Sequence, residues 1–171
     1  KSSGTAFFVK LSETGKVAIL TCAHVVSCAF QIHLEFVQPN GEILQCRAFV
    51  KKRLACVDLA LLELDHRHPN ANILAARMQR SAMLLYDGNQ SLAQLKTESV
   101  TVCGYQLTFT AVNQAETEGK IARMQLEYMG YSQYEHCILS ITNRVNKGFS
   151  GAPLILNGPK AKVLGMIHQG A

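Results

Sequence analysis

Val17-Ala-Ile-Leu-Thr-Cys-Ala-His24-Val-Val26 is an apolar run that ends in a histidine followed by two valines. Val, Ile and Thr fit a pleated, half-buried surface, so the run reads as a strand with an imidazole held at its end. The same texture lies on either side, at Thr5 to Val9, Phe30 to Val37, Glu42 to Lys51 and Asp58 to Leu64. Turn signals at Glu13-Thr14-Gly15-Lys16 and Pro39-Asn40-Gly41 separate these runs, and about six strands before residue 65 suggest a small barrel. Beyond a less regular stretch from Asp65 to Glu98, strand-like runs resume at Ser99 to Tyr105, Leu107 to Val112, Ile121 to Tyr128, Cys137 to Thr142, Pro153 to Leu156 and Lys162 to His168. A second barrel accounts for them most economically. Between the two, Asn72 to Leu85 carries apolar residues without alternation and Asp87-Gly88-Asn89 closes it as a turn, which reads as a helical or loop connector.

Composition narrows the function. The chain has 171 residues, 48% hydrophobic and 17% charged, enough to bury a core and too apolar for disorder. No apolar run approaches the roughly 20 residues that cross a bilayer, and Lys1-Ser-Ser-Gly does not open a signal peptide, so neither a membrane span nor a visible secretion signal is expected. The net charge of +5 comes without a Lys/Arg block and argues against nucleic acid as a partner. Cys22, Cys28, Cys46, Cys56, Cys103 and Cys137 show no CxxC spacing, and four of them sit in apolar runs. They read as reduced core thiols, which points to an intracellular, cytoplasmic setting, although the even count also permits three disulfides.

Chemistry concentrates in three places. His24 is the first, and alone it could be a satisfied core histidine. The second is Ala55-Cys-Val-Asp58-Leu-Ala-Leu-Leu-Glu-Leu64, where both faces of a strand are largely apolar and Asp58 stands at its start. A carboxylate there needs a histidine or a set of amides to receive it, because burying it unpaired costs several kcal/mol. The third is Asn146-Lys-Gly148-Phe-Ser150-Gly151-Ala-Pro153. Its glycines permit unusual backbone angles that turn consecutive N–H groups inward beside an exposed hydroxyl, the requirement for an oxyanion hole next to a nucleophile; a plain turn remains the alternative on this segment alone.

Together these blocks resemble the trypsin-like serine peptidases of the chymotrypsin fold, and among them the HtrA/Deg-like branch. The resemblance is carried by Ser3-Gly-Thr-Ala-Phe-Phe8, Thr21-Cys-Ala-His24-Val-Val26, Val57-Asp58-Leu-Ala-Leu-Leu62, Gly148-Phe-Ser150-Gly-Ala-Pro153 and Val163-Leu-Gly165-Met-Ile167. They cover the chain nearly end to end, and His24, Asp58 and Ser150 follow the order His, Asp, Ser that distinguishes this fold from α/β-hydrolases and subtilisins. The resemblance implies an all-β peptidase domain of two six-stranded antiparallel β-barrels, residues 1–85 carrying His24 and Asp58 and residues 86–171 carrying Ser150. It also implies a serine endopeptidase acting on polypeptides, with Ser150 as nucleophile, His24 as base, Asp58 orienting the imidazole, and the amides of Gly148 and Ser150 as oxyanion hole. No metal and no organic cofactor is implied.

Departures from the family carry information too. Phe149 stands where the secreted members have the Asp that receives a new N-terminus, so activation by that ion pair is not expected. No PDZ-like domain fits in the length, and the chain stops at Ala171, short of the family's closing strand, so the second barrel is expected to be truncated and the domain to be a piece of a larger, regulated protein. By the same resemblance Arg144 lies at the base of the S1 pocket and Ile167 to Gly170, including His168, form a wall, an arrangement that favours an acidic P1 side chain. A latent or inactive protease-fold scaffold that binds proteins is the alternative function, and a viral polyprotein protease would share the chemistry. His66-Arg-His68 and Lys51-Lys-Arg53 read as solvated surface.

Overall fold

The computed structural model describes residues 3–11, 15–27, 30–86, 94–95, 98–107, 112–128, 135–141 and 148–168; at 106–107, 112–115, 117–128 and 135–141 it describes the backbone alone. Six strands and two helices precede residue 86: β1 (Phe7–Lys10), β2 (Val17–Cys22), α1 (Ala23–Val26), β3 (Gln31–Val37), β4 (Ile43–Leu54), β5 (Leu59–Leu64), α2 (Ala71–Ser81) and β6 (Met83–Leu85). Five strands follow: β7 (Ser99–Leu107), β8 (Val112–Tyr128), β9 (Glu135–Ile141), β10 (Pro153–Leu156) and β11 (Lys162–Met166). The fold is mostly β, as the alternating sequence predicts.

The strands hydrogen-bond in the continuous order β3-β4-β5-β2-β1-β6-β11-β10-β7-β8-β9. Instead of two separately closed rings, the described strands form one curled run in which each outermost strand, β3 and β9, has a single partner. Pairing is antiparallel except at β6, which runs parallel to both β1 and β11 and joins the two halves. That strand is the end of the connector. Its first part is the helix α2, whose Ala71, Leu74 and Met78 recur at helical spacing and are buried against the first half, while Ile73 faces out. Ile121 to Tyr128, read as a strand of its own, is the second part of one long strand: β8 pairs with β7 through Lys120 and with β9 from Ile121 on, while of the run Leu107 to Val112 only its two end residues are described, Leu107 closing β7 and Val112 opening β8. Its polar Glu116-Thr-Glu-Gly-Lys120 continues the ladder because β7 supplies a partner at every residue.

Three buried clusters hold the sheet together. One, around Ile19, Cys46, Ala60, Leu62 and Leu74, lies under the first half; another, around Val100, Val102, Phe149, Ala152 and Leu154, under the second. Phe7, Val9, Ala18 and Val163 form a third across the junction at β6. The turn at Pro39-Asn40-Gly41 is as expected: Gly41 takes φ +86 and the Asn40 side chain accepts the Glu42 amide at 3.0 Å. The turns at Glu13-Thr14 and Asp87-Gly88-Asn89 lie outside the described residues. Cys22 and Cys46 are buried free thiols, whereas Cys56 is exposed and Cys103 half-buried; Cys28 and the Cys137 side chain lie outside the description. Among the described residues no helix is long and apolar enough to cross a membrane.

Candidate functional site

β2 delivers His24 directly, since the strand ends at Cys22 and the next residues turn into the short helix α1. A helix leaves its first N–H groups without intrahelical partners, and Asp58 supplies them. Its carbonyl accepts the Ala23 amide at 3.0 Å and its Oδ1 accepts the His24 amide at 2.8 Å. Asp58 stands in the left-handed region, φ +53 and ψ +42, at the end of the 3-10 turn Ala55–Val57 and just before β5. It therefore points sideways at α1 instead of alternating into the core as the first residue of the strand would. The sequence reading placed the carboxylate correctly at the strand's start; the turn before it explains how it escapes full burial.

The other carboxylate oxygen, Oδ2, lies 2.6 Å from His24 Nδ1 and 3.0 Å from His168 Nδ1. An ionised carboxylate only accepts, so each imidazole presents Nδ1–H to it and keeps Nε2 as the basic nitrogen in its neutral form. Partial burial works against the charged carboxylate, but the hydrogen bonds from His168 and His24, with the His24 amide, outweigh it and hold Asp58 below the usual carboxylate range. His24 and His168 are both about half exposed, at 52% and 57%, so the basic nitrogens remain within reach of a ligand. Beneath them the Cys22 thiol is fully buried; desolvation, with the Asp58 charge beside it, pushes it up to about 12. It is a proton-bearing neighbour, not a nucleophile.

The serine loop is anchored from the other half. Gly148 (φ +102) and Gly151 (φ +92) flank Phe149 and Ser150, and Phe149 is buried against Gly104 and Ala152. Apolar burial thus holds the residue that would otherwise carry an ion-pairing Asp. Thr5 locks the loop in place: its amide donates to the Ser150 carbonyl at 2.8 Å, and its hydroxyl donates to the Gly148 carbonyl at 2.7 Å while accepting the Tyr105 amide at 3.0 Å. The Thr21 hydroxyl donates to the Thr5 carbonyl at 2.8 Å. One carbonyl ties this loop to the histidine: Ile167 O accepts the Gly151 amide at 2.7 Å and the Cys22 thiol at 3.1 Å. Ser150 and His24 are thus one and two residues away from a shared contact, and His168 follows it directly. Among the described residues no hydrogen bond joins the Ser150 side chain to His24, and none engages the amides of Gly148 or Ser150. A largely apolar cavity of about 870 Å³, lined by Phe8, Ile32, Leu34 and Phe36 among others, includes none of His24, Asp58 and Ser150.

Arg144 and Gly170 lie outside the described residues. His168, expected in the wall of a specificity pocket, has its ring against Asp58. The locking roles of Thr5 and Thr21 were missed, although two threonines inside apolar runs are the kind of buried polar group that must find partners.

The family model of the trypsin-like peptidase domain matches residues 4–166. The chain belongs to that family. Among solved structures, this trypsin-like domain is similar to the HtrA-type protease AlgW solved with a decapeptide, at TM-score 0.63 and 22% identity, over 95% of this chain and 42% of that one. An inactive form of the Rv3671c protease of M. tuberculosis H37Rv gives TM-score 0.61 and 24% identity over 96% of this chain and 71% of that one. A serine endoprotease of Yersinia pestis gives 0.57 and 18% over 98% and 54%. No curated protein shows a significant sequence match. The trypsin-like resemblance read from the motifs agrees with the family model, the HtrA-type structures share its fold, and the chain spans less than half the length of the AlgW chain it matches.

Gly151 sits where the described structure leaves no room for a side chain. A Cβ there would lie 2.0 Å from Thr5 O and 2.5 Å from Thr21 Oγ1, at a φ that L side chains avoid. Gly151→Ala is expected to cost roughly 2–6 kcal/mol from backbone strain and overpacking together. In thermal unfolding that lowers Tm by roughly 4–24 °C for a domain of this size. Gly158→Ala, where a Cβ meets nothing within 4 Å, is the control and should leave Tm within a degree or two of the parent. Equal melting of the two variants contradicts the close packing of the serine loop on Thr5.

Proposed function

We propose that this domain is a serine endopeptidase using His24, Asp58 and Ser150. The observation that carries the proposal is the grip of Asp58 on His24, through the backbone amide at 2.8 Å and Nδ1 at 2.6 Å, which fixes both the position and the tautomer of a half-exposed imidazole. A histidine so held offers Nε2 as a general base on its open side. Ser150 Oγ attacks the peptide carbonyl, His24 takes its proton and returns it to the leaving amine, and water releases the acyl group by the same route. The amides of Gly148 and Ser150, which have no hydrogen-bond partner among the described residues, receive the oxyanion, each contributing about 3 kcal/mol in a dry site. The serine-to-histidine hydrogen bond forms when substrate closes the site, as free enzymes commonly hold it long.

In this reading residues 1–85 and 86–171 are the two barrel halves of one domain, and the chain acts as part of a larger, regulated protein. Cys22, Cys46 and Cys56, free thiols among the described residues, favour a reducing, intracellular setting. Arg144, His168 and Gly170 are the proposed lining of the S1 pocket, so peptides with an acidic P1 residue are the first substrates to try. The deciding experiment is reaction of the folded domain with a fluorophosphonate and location of the adduct by peptide mass spectrometry. An adduct on Ser150 supports the peptidase; a folded domain that carries none favours the protein-binding scaffold.

A further inference from the structure

The oxygen that orients His24 also sits among donors of another kind. A ring nitrogen of His24, an oxygen of Asp58 and the Cys22 sulfur all lie within 4.8 Å of one another. His168 brings a fourth donor, its Nδ1 lying 3.0 Å from Asp58 Oδ2. One thiol, two imidazoles and one carboxylate make a donor set suited to a borderline-soft divalent ion, and neither calcium nor magnesium takes sulfur. In a tetrahedral zinc site, bond lengths of about 2.0–2.3 Å place the donors about 3.2–3.8 Å apart. Among Cys22, His24 and Asp58 the His24–Asp58 contact must therefore open, and the widest pair close, by only about 1 Å, while His168, held by its Nδ1 to Asp58, joins by rotation of its half-exposed ring.

We propose that Cys22, His24, Asp58 and His168 form a zinc site that switches the domain off. The ion enters from the solvent side between the two imidazoles, and the Cys22 sulfur closes the coordination from below. On ligation the thiol proton leaves to solvent and the sulfur binds as thiolate; each imidazole binds as a neutral ligand through Nδ1, its proton passing by way of water from Nδ1 to Nε2, so that no net proton is lost from the rings. Nothing is oxidised or reduced. Four protein ligands saturate a tetrahedral ion, so the site has no open position for catalysis of its own. The ion instead holds the carboxylate and imidazole that the peptidase reading assigns to proton transfer. The inhibitory consequence rests on that reading; binding of the ion does not.

Two readouts keep the questions apart. Cobalt(II) chloride added to the chelator-treated domain reports ligation by its absorption: tetrahedral visible bands with a thiolate-to-metal charge-transfer band are expected, and Cys22→Ala should lose the charge-transfer band. Fluorophosphonate labelling reports the peptidase: zinc chloride at ~100 times its dissociation constant should slow labelling about 100-fold by mass action, reversibly with EDTA. In Cys22→Ala the zinc midpoint should move up by at least about 10–100-fold while labelling without zinc continues. If Cys22→Ala does not fold, Cys22→Ser, which keeps a donor toward Ile167 O and removes the sulfur, tests the same shift. Absence of the charge-transfer band, or equal zinc sensitivity in parent and Cys22→Ala, overturns the site. A domain that shows the band yet never labels keeps the metal site and loses the peptidase.

Discussion

Replacing His24 by alanine is expected to slow fluorophosphonate labelling of Ser150 by about 10⁶-fold, close to what Ser150→Ala does by removing the labelled atom. The size follows from the role: without a base, the serine hydroxyl must lose its proton to water, and the imidazolium that assists the leaving group never forms. The fold should survive. The His24 side chain is 52% exposed and makes its described hydrogen bond only to Asp58, and the bond from the His24 amide to Asp58 Oδ1 belongs to the backbone and remains in alanine. A stability change within about 1 kcal/mol is expected, because neither a cavity in the core nor an orphaned amide is created. Labelling of a folded His24→Ala at the parent rate would remove His24 from the mechanism. Near-silence with an unchanged melting curve separates a chemical role from a structural one.

How far such a site was legible in the sequence depends on the scale at which each feature is encoded. Residue types and order were readable, because an apolar strand ending in His24, an acid opening the run Leu59 to Leu64 and a glycine-flanked Ser150 each leave a local signature. The strand runs were readable for the same reason, since alternation has a period of two residues. What the sequence concealed is long-range. The continuity of β8 through its polar centre depends on β7 offering a partner, and the parallel joints of β6 depend on where α2 ends in space. Likewise the Thr5 lock bridges 143 positions to Gly148, and the His168–Asp58 contact bridges 110. No local pattern reports such pairs. Even so, Thr5 and Thr21 carry a trace of the answer, because a hydroxyl inside an apolar run must be satisfied by something distant. Phe149 shows the converse: the sequence excluded an ion pair at that position, and the structure supplies a buried ring in its place.

Asparagine at position 58 should lower the labelling rate by about 10⁴-fold in a domain that remains folded, and the reason is a matter of donors and acceptors. Asp58 uses Oδ1 for the His24 amide and Oδ2 for the Nδ1–H groups of His24 and His168. Asparagine keeps one carbonyl oxygen, which can still accept the His24 amide and hold the start of α1. Its NH2 group then faces both imidazoles, and a donor opposite Nδ1 favours the tautomer whose proton is on Nε2. The base is thereby protonated on the nitrogen that should receive the serine proton, in the right place but in the wrong form. Asp58→Ala differs in kind, since it also strands the His24 amide and should cost about 1–3 kcal/mol of stability that asparagine retains. The measurement is therefore a pair: labelling rate and melting temperature for both variants. Slow labelling with a near-parent Tm in Asp58→Asn, beside slow labelling with a lowered Tm in Asp58→Ala, assigns the carboxylate both to the tautomer of His24 and to the helix start. Parent-like labelling by Asp58→Asn would show that the imidazole is oriented by something else, and His168, the other ring on the same oxygen, would be the first residue to replace.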